Sequence, residues 1–486
     1  MEVSLTPGKR IGLLLLLAAA VLAVCSWSSP LYAFNPWDDA NAYMTIGKSV
    51  LVGKVPYRDL YDHKGPFLFL IHTIAAEISF DTFTGVYLLE SLAGFFFLFY
   101  AYKALNLLLE EETIALLPAV AATVYFSRAL KFGDSAEEFS LPFLMFAAYL
   151  LLLMTKEDRL PTRKEAFLIG LTSACVFWMK YTVVGFYLGW ILLPLHQAIR
   201  KKKAAEFFQG CGLIALGVLC CSAAILAYYA AKNSIKDLFE VYFYDNIVKY
   251  ASEKRSLSGL FLNLVQGGEV LARYYPAGLL LGILAIWKLP AKTGLREGLL
   301  ATAAGLFFTI FFGGQAFDYC ALPFAVYAVF GIGVLYRMIR RQWPSHGKKR
   351  QRVFGIAGLA VLMLLTVPKI GNMTRKADEY IQYQVKAKIE ERSGGQEVRI
   401  LNYGMLDQGF YTVMGIVPEC RIYYRPNMNS PEFIEQQDAY VSEKKPDYII
   451  CKNDTWFYGY HLIHAYPIDE VTGYDTYLYA RNGGRP

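Results

Sequence analysis

The chain has 486 residues, 55% of them hydrophobic and 15% aromatic but only 18% charged. Soluble domains carry about 25% charged residues, so this composition, with a mean hydropathy of +0.31, excludes an ordinary water-soluble domain and points to lipid as the solvent. The net charge of +7 does not indicate a nucleic-acid partner, because the basic residues stand in short clusters between apolar runs, as loop charges that orient membrane helices do.

A spanning helix needs roughly 20 mostly apolar residues. Candidates follow in chain order at 11–33, 83–105, 113–128, 140–155, 166–180, 181–199, 210–231, 270–288, 297–313, 319–338 and 353–369, about eleven in all. Small residues before Tyr32-Ala33 resemble a signal-peptide cleavage site, but the run is long for one, so an uncleaved helix is expected. Of the eight cysteines, six lie in or beside apolar runs, and no CxxC or zinc-like spacing occurs. Cys220 and Cys221 read as small buried hydrophobes.

With the N-terminus and Lys9-Arg10 in the cytoplasm, the basic clusters fall on one side. These are Lys103; Lys156 to Lys164; Arg200 to Lys203; Lys288, Lys292 and Arg296; and Arg337 to Arg352. The opposite side receives 34–82, 128–139, 232–269 and everything after about 370. The fit requires that 66–79 not span. That segment is short and contains His72 and Glu77, and reads as an interfacial helix.

The first outer loop opens with Asn35-Pro36-Trp37-Asp38-Asp39, followed by an amphipathic stretch with Ala42, Tyr43, Ile46 and Val50 on one face. Gly53 to Asp59 (GKVPYRD) and Tyr61 to Pro66 (YDHKGP) come next. The second outer loop carries Arg128, Asp134, Glu137 and Glu138. Each feature has a bland reading: Asp38 or Asp39 caps the following helix, Lys64 snorkels to headgroups, and Glu137 and Glu138 are solvated loop acids. Taken together, acids from two outer loops with cations beside them suit chemistry on a lipid-linked anion. A cation holds phosphate, and a carboxylate accepts a proton from an attacking hydroxyl.

The tail from 370 to 486 reads as a small α/β domain outside the membrane, with strands at 398–401, 421–424, 446–450 and 476–479 and a helix over 431–445. Its Tyr and Trp residues suit either a core or stacking on sugar rings. His461 and His464 have ligand-like spacing but lack a third ligand. Cys420 and Cys451 are candidates for a disulfide.

The loop sequences resemble the GT-C glycosyltransferases, in particular the PMT-like branch that includes polyprenyl-phosphate-dependent mannosyltransferases and aminoarabinose transferases. The family pattern is an acid pair, a Tyr four residues on, then GxxPYxD and KxP. Asp39, Tyr43, Gly53, Pro56, Tyr57, Asp59, Lys64 and Pro66 match it. Arg128 with Asp134, Glu137 and Glu138 matches the family's second loop. Phe317 to Pro323 resembles a late HYxxxxP segment, with Asp318 in place of the His before Tyr319.

The resemblance implies an α-helical polytopic GT-C fold over 1–369 and a glycosyltransferase that moves sugar from a polyprenyl-phosphate donor to a cell-envelope acceptor at the outer face. It implies Asp39 as general base, with Glu138 on the acceptor side. Lys64, Arg128 and His63 would hold the donor phosphate. Asp38, Tyr43, Tyr57, Asp59, Asp134, Glu137 and Tyr319 would support them. Metal use differs across the family; without a dense carboxylate cage here, no tightly held metal and no cofactor are expected. The rival reading is a lipid-linked sugar flippase or a noncatalytic scaffold. Transporters place ionisable groups at mid-membrane with repeated halves. No repeat is visible, and Lys180, the main intramembrane candidate, is explained by a short outer turn.

Overall fold

The computed structural model describes residues 6–249, 257–290, 294–314, 316–343, 347–428, 430–468 and 473–483. Lys292, and parts of the stretches 232–269 and 337–352 used for orientation, lie outside them. In chain order the chain forms α1 (Pro7–Cys25), α2 (Asp38–Leu51), α3 (Pro66–Ile78), α4 (Thr84–Leu109), α5 (Leu117–Tyr125) and α6 (Ala136–Lys156). Further helices follow to Met373.

A helix occupies each of the eleven expected apolar runs. Among the described residues, seven are long and apolar enough to cross a membrane: α1, α4, α6, Tyr181–Lys201, Ala204–Ala231, Asp318–Gln342 and Lys349–Met373. Ser258–Tyr274 and Pro276–Lys288, bent by 108°, make an eighth if they form one span. Pro276 explains the break: it lacks an N–H and pushes Tyr275 out of helical backbone. The runs near 113–128, 166–180 and 297–313 form shorter helices, Ile114–Tyr125, Arg163–Phe177 and Leu295–Phe311. α3 is a 13-residue apolar helix, too short to span.

The chain divides into two compact units. A helical unit comprises Met1–Ser26, Leu88–Ile225 and Lys254–Ile370. A loop–tail unit comprises Trp27–Tyr87, Leu226–Glu253 and Gly371–Pro486. The tail, expected to stand alone from residue 370, therefore packs as one body with the first loop.

Among the described residues the sheet of the loop–tail unit has four strands: β1 (Ile400–Tyr403), β2 (Tyr448–Cys451), β3 (Tyr460–Tyr466) and β4 (Thr476–Arg481), in the order β1-β2-β4-β3. β1 and β2 are parallel; β4 runs antiparallel to both its neighbours. The expected helix is Pro431–Ser442. No strand forms at 421–424. There the segment serves the loop instead: the Tyr61 N–H donates to the Arg421 backbone carbonyl at 2.9 Å, and the Tyr423 side-chain hydroxyl donates to the Ala42 carbonyl at 3.3 Å. β3 holds His461 and His464 on an edge strand with a bulge. His461 Nδ1 lies 2.7 Å from Asn482 Oδ1, and His464 packs its ring on Tyr466. Cys420 and Cys451 are free thiols in one buried cluster, so the disulfide considered from sequence is not formed.

Candidate active site

The first loop builds its group from a helix start and a turn. Trp37, in extended backbone, is the N-cap of α2, so neither Asp38 nor Asp39 fills that position. Both acids sit in the first turn, where carboxylates meet the positive end of the helix. Asp38 Oδ1 accepts the Asp39 N–H at 3.0 Å, which leaves Asp39 facing a different partner. Tyr43 stands one turn on, on the same side as Asp39. The next turn brings Gly47 against α3: a Cβ there would lie 2.4 Å from the His72 carbonyl oxygen, so the two helices approach this closely only over glycine.

The turn between the helices is fixed by its own polar residues. The Val55 N–H donates to Asp59 Oδ2 at 2.8 Å, and Arg58 grips the Asp59 carboxylate through Nε and Nη2, both at 2.8 Å. Arg58 holds the Asp59 carboxyl below its usual range. Tyr57 adopts φ +73°, its hydroxyl donates to the Lys64 carbonyl at 2.7 Å, and its ring stacks on Tyr229. The Lys64 N–H donates to Asp62 Oδ1 at 2.9 Å. The carbonyl of His63 accepts from Asn246 Nδ2 at 2.7 Å. Lys64 is thus held at both backbone groups just before α3 begins.

Its side chain reaches back to α2. Lys64 Nζ lies 3.1 Å from Asp39 Oδ2 and donates to the Tyr43 hydroxyl at 2.6 Å, with the Tyr43 ring centroid 5.0 Å away. The side chains of Lys64 and Asp39 keep 12% and 25% of their exposure, so the pair is shielded but reachable. Asp39, Tyr43 and Lys64, picked out from the sequence, therefore meet in one place.

Residues not assigned from the sequence complete this unit. Asp62 is buried, and the Tyr424 hydroxyl donates to its Oδ2 at 3.2 Å. Burial pushes its carboxyl up to about 6, against the pull of Lys64 and its amide. Asp407 is likewise pushed up to about 6 by burial, and it accepts from Thr45 Oγ1 at 2.8 Å. Burial lowers the Lys48 ammonium to about 8, and Lys48 Nζ donates to the Tyr411 carbonyl at 2.8 Å. The two carboxyls bind protons more tightly folded than unfolded. Their contribution to stability is full below the ordinary value of 3.8 and is lost as pH rises through about 6. Melting curves of the purified protein should show Asp62→Asn, and separately Asp407→Asn, each flattening part of the fall between those limits. Unchanged slopes in both variants would refute this.

In the helical unit the second-loop acids are buried, not solvated. Ser135 caps α6 by accepting the Glu138 N–H at 3.0 Å. The Asp134 N–H is shared by two carboxylates, Glu90 Oε1 at 2.7 Å and Glu138 Oε2 at 2.9 Å, and Ser26 Oγ donates to Glu90 Oε2 at 2.7 Å. The loop reaches this position through positive φ at Lys131, Gly133 and Asp134. A Cβ on Gly133 would lie 2.5 Å from both Glu90 Oε1 and Ser26 Oγ. Lys180 lies in the short turn between Phe177 and Tyr181 that the sequence led one to expect, and there it pairs with Glu137, which is also buried. Tyr319 has two ammonium groups over its ring, Lys180 Nζ at 4.9 Å and Lys131 Nζ at 5.6 Å. Arg128 is exposed at the start of a 3₁₀ turn.

Glu90 and Lys180 had weak sequence signals. Glu90 is an acid inside the apolar run of α4, and membrane acids of that kind find partners or do work. Among the described residues, no group of three or more His, Cys, Asp or Glu side chains is arranged to hold a metal ion.

Solved structures share this architecture. The ArnT crystal structure from Cupriavidus metallidurans bound to undecaprenyl phosphate superposes with a TM-score of 0.66 and 11% identity, covering 97% of this chain and 98% of that one. The apo state of the same protein gives 0.64 and 11%, covering 96% and 98%. At that identity the likeness is one of fold: the chain is a membrane protein with the GT-C fold that its loop motifs led one to expect. No curated protein matches the sequence. Residues 4–312, well over half of the chain, match the competence-induced protein Ccs4 N-terminal domain, and the chain belongs to that family.

Proposed function

We propose that this protein is a glycosyltransferase that takes a sugar from a polyprenyl-phosphate donor and places it on a cell-envelope acceptor at the outer face of the membrane. The observation that carries the reading is the Asp39–Lys64–Tyr43 group: a carboxylate and an ammonium 3.1 Å apart, shielded but reachable, at the start of two short helices. The ArnT structure with undecaprenyl phosphate shows that a protein of this fold accepts such a lipid.

In this mechanism the resting Lys64 is shared between Asp39 and Tyr43. The donor phosphate recruits the ammonium, which neutralises the charge left when the bond from the anomeric carbon to the phosphate oxygen breaks. The acceptor hydroxyl oxygen bonds to that carbon, and its proton passes to the Asp39 carboxylate. Polyprenyl phosphate leaves. Asp38 keeps the first turn of α2 in order, and Arg58, Asp59, Asp62 and Tyr57 hold Lys64 in place.

The test is turnover in proteoliposomes with a panel of polyprenyl-phosphate sugars and isolated envelope material. Release of polyprenyl phosphate coupled to labelled product is expected. Movement of donor across the bilayer with no product would instead make the chain a transporter.

The orientation belongs to the same proposal, with the tail outside and Arg200 to Lys203 inside. On intact cells, a membrane-impermeant thiol reagent should label Gly483→Cys and leave Lys202→Cys unlabelled. Labelling of the Lys202 site alone would reverse the topology.

A further inference from the structure

The loop–tail unit carries a polar cavity of about 380 Å³, lined by Arg392, Glu397, Asp447, His461 and Arg481, with Val398 and Ala480 as its aliphatic side chains. Ligand sites fall in the range of about 300–1,000 Å³ and are mostly apolar. A wall rich in donors and acceptors instead fits a ligand covered in hydroxyls. The wall is fixed: Arg481 pairs with Asp447 at 2.8 Å and donates to the Lys444 carbonyl at 2.8 Å.

From this edge the surface continues onto residues 452–459. Lys444 Nζ stands 5.3 Å from the Tyr458 ring centroid, and the Asn482 N–H donates to the Gly459 carbonyl at 2.8 Å. Trp456 and Tyr458 are 80% and 69% exposed, with ring centroids 6.1 Å apart. Between them Phe457 is buried against Tyr479 at 5.1 Å. The Tyr479 hydroxyl also donates to Asp454 Oδ1 at 2.6 Å and accepts the Thr455 N–H at 3.0 Å. Two large rings are therefore held out to solvent on an anchored segment, which lowers the ordering cost of binding. Their neighbours Lys452, Asn453 and Asp454 are exposed polar residues, a poor setting for insertion into lipid.

We propose that the cavity and the two rings form a saccharide-binding site for a hydroxyl-rich chain bearing anionic groups. The Trp456 and Tyr458 faces stack on the C–H faces of sugar rings, Glu397 accepts from hydroxyls, and Arg392 meets the anion. None of these residues belongs to the Asp39–Lys64 group, so binding is measurable whether or not the chain transfers sugar.

The experiment titrates the full chain in detergent by calorimetry with four probes: glycosylated teichoic acid fragments, neutral laminarihexaose, inorganic polyphosphate and phosphatidylglycerol vesicles. Teichoic acid fragments should bind, and laminarihexaose should bind more weakly. Trp456→Ala should weaken both by about 10-fold, whereas Arg392→Gln should weaken only the anionic probe. The proposal is overturned if polyphosphate binds as tightly as the fragments with no effect of Trp456→Ala. It is equally overturned if vesicles bind through Trp456 while saccharides do not, or if no saccharide binds at millimolar concentration.

Discussion

Asp39→Asn should lower sugar transfer at least 100-fold while donor binding and folding persist, and Asp38→Asn should change little. General-base catalysis is worth about 10²–10⁴ in rate, and Asn keeps the size of the side chain while removing the carboxylate that takes the proton. The neighbours separate because their partners differ: Asp38 Oδ1 accepts the Asp39 N–H, a role an Asn oxygen keeps, whereas Asp39 Oδ2 meets the Lys64 ammonium. Removing the Asp39 charge also frees Lys64 from a competing anion, so the Asn variant should hold the donor as well as or better than wild type. That combination, turnover lost and donor affinity kept, is not produced by a folding defect. A dead Asp38→Asn enzyme beside an active Asp39→Asn enzyme would reverse the assignment. Full activity in both would end the catalytic reading of this loop.

Lys64→Ala should weaken donor binding by roughly 10- to 150-fold, since a hydrogen bond to a charged group contributes about 1.5–3 kcal/mol. The site is partly dehydrated, with Lys64 at 12% exposure, so solvent screens the phosphate contact less than at an open surface. Lys64→Arg keeps the charge but cannot seat a planar guanidinium where a single ammonium touches both Asp39 and the Tyr43 hydroxyl. It should recover part of the affinity. Equilibrium binding of a fluorescent polyprenyl-phosphate sugar measures both. Wild-type affinity in Lys64→Ala would reduce Lys64 to a positioner of Asp39.

The membrane helices were legible because apolar runs read directly as helices. Asp39, Tyr43 and Lys64 were legible through the resemblance of their loop to the GT-C pattern, in which the acid and the Tyr stand one helical turn apart. What failed was set by distant parts of the chain. Arg421 to Tyr424 have strand-like side chains, yet they are consumed by hydrogen bonds to the first loop instead of by a sheet. β3 carries no alternating apolar pattern, because it is a bulged edge strand exposed along most of its length. Glu90 is invisible as a partner until the turn at Gly133 delivers the Asp134 amide to it. Lys48 has no partner nearby in sequence: its ammonium is taken up by the Tyr411 carbonyl of the tail, against which it is buried.

The interweaving of the first loop with the tail also bears on how the protein is made. Thr45 bonds to Asp407, 362 residues later, and Lys48 to Tyr411, 363 residues later. A ribosome at about 5–20 residues per second leaves those loop groups without their partners for roughly 20–70 seconds. The loop therefore emerges as an unfinished surface that the last quarter of the chain must complete. This unit can be completed only after the tail has been made, and a chain cut short before Asp407 lacks the partners of Thr45 and Lys48.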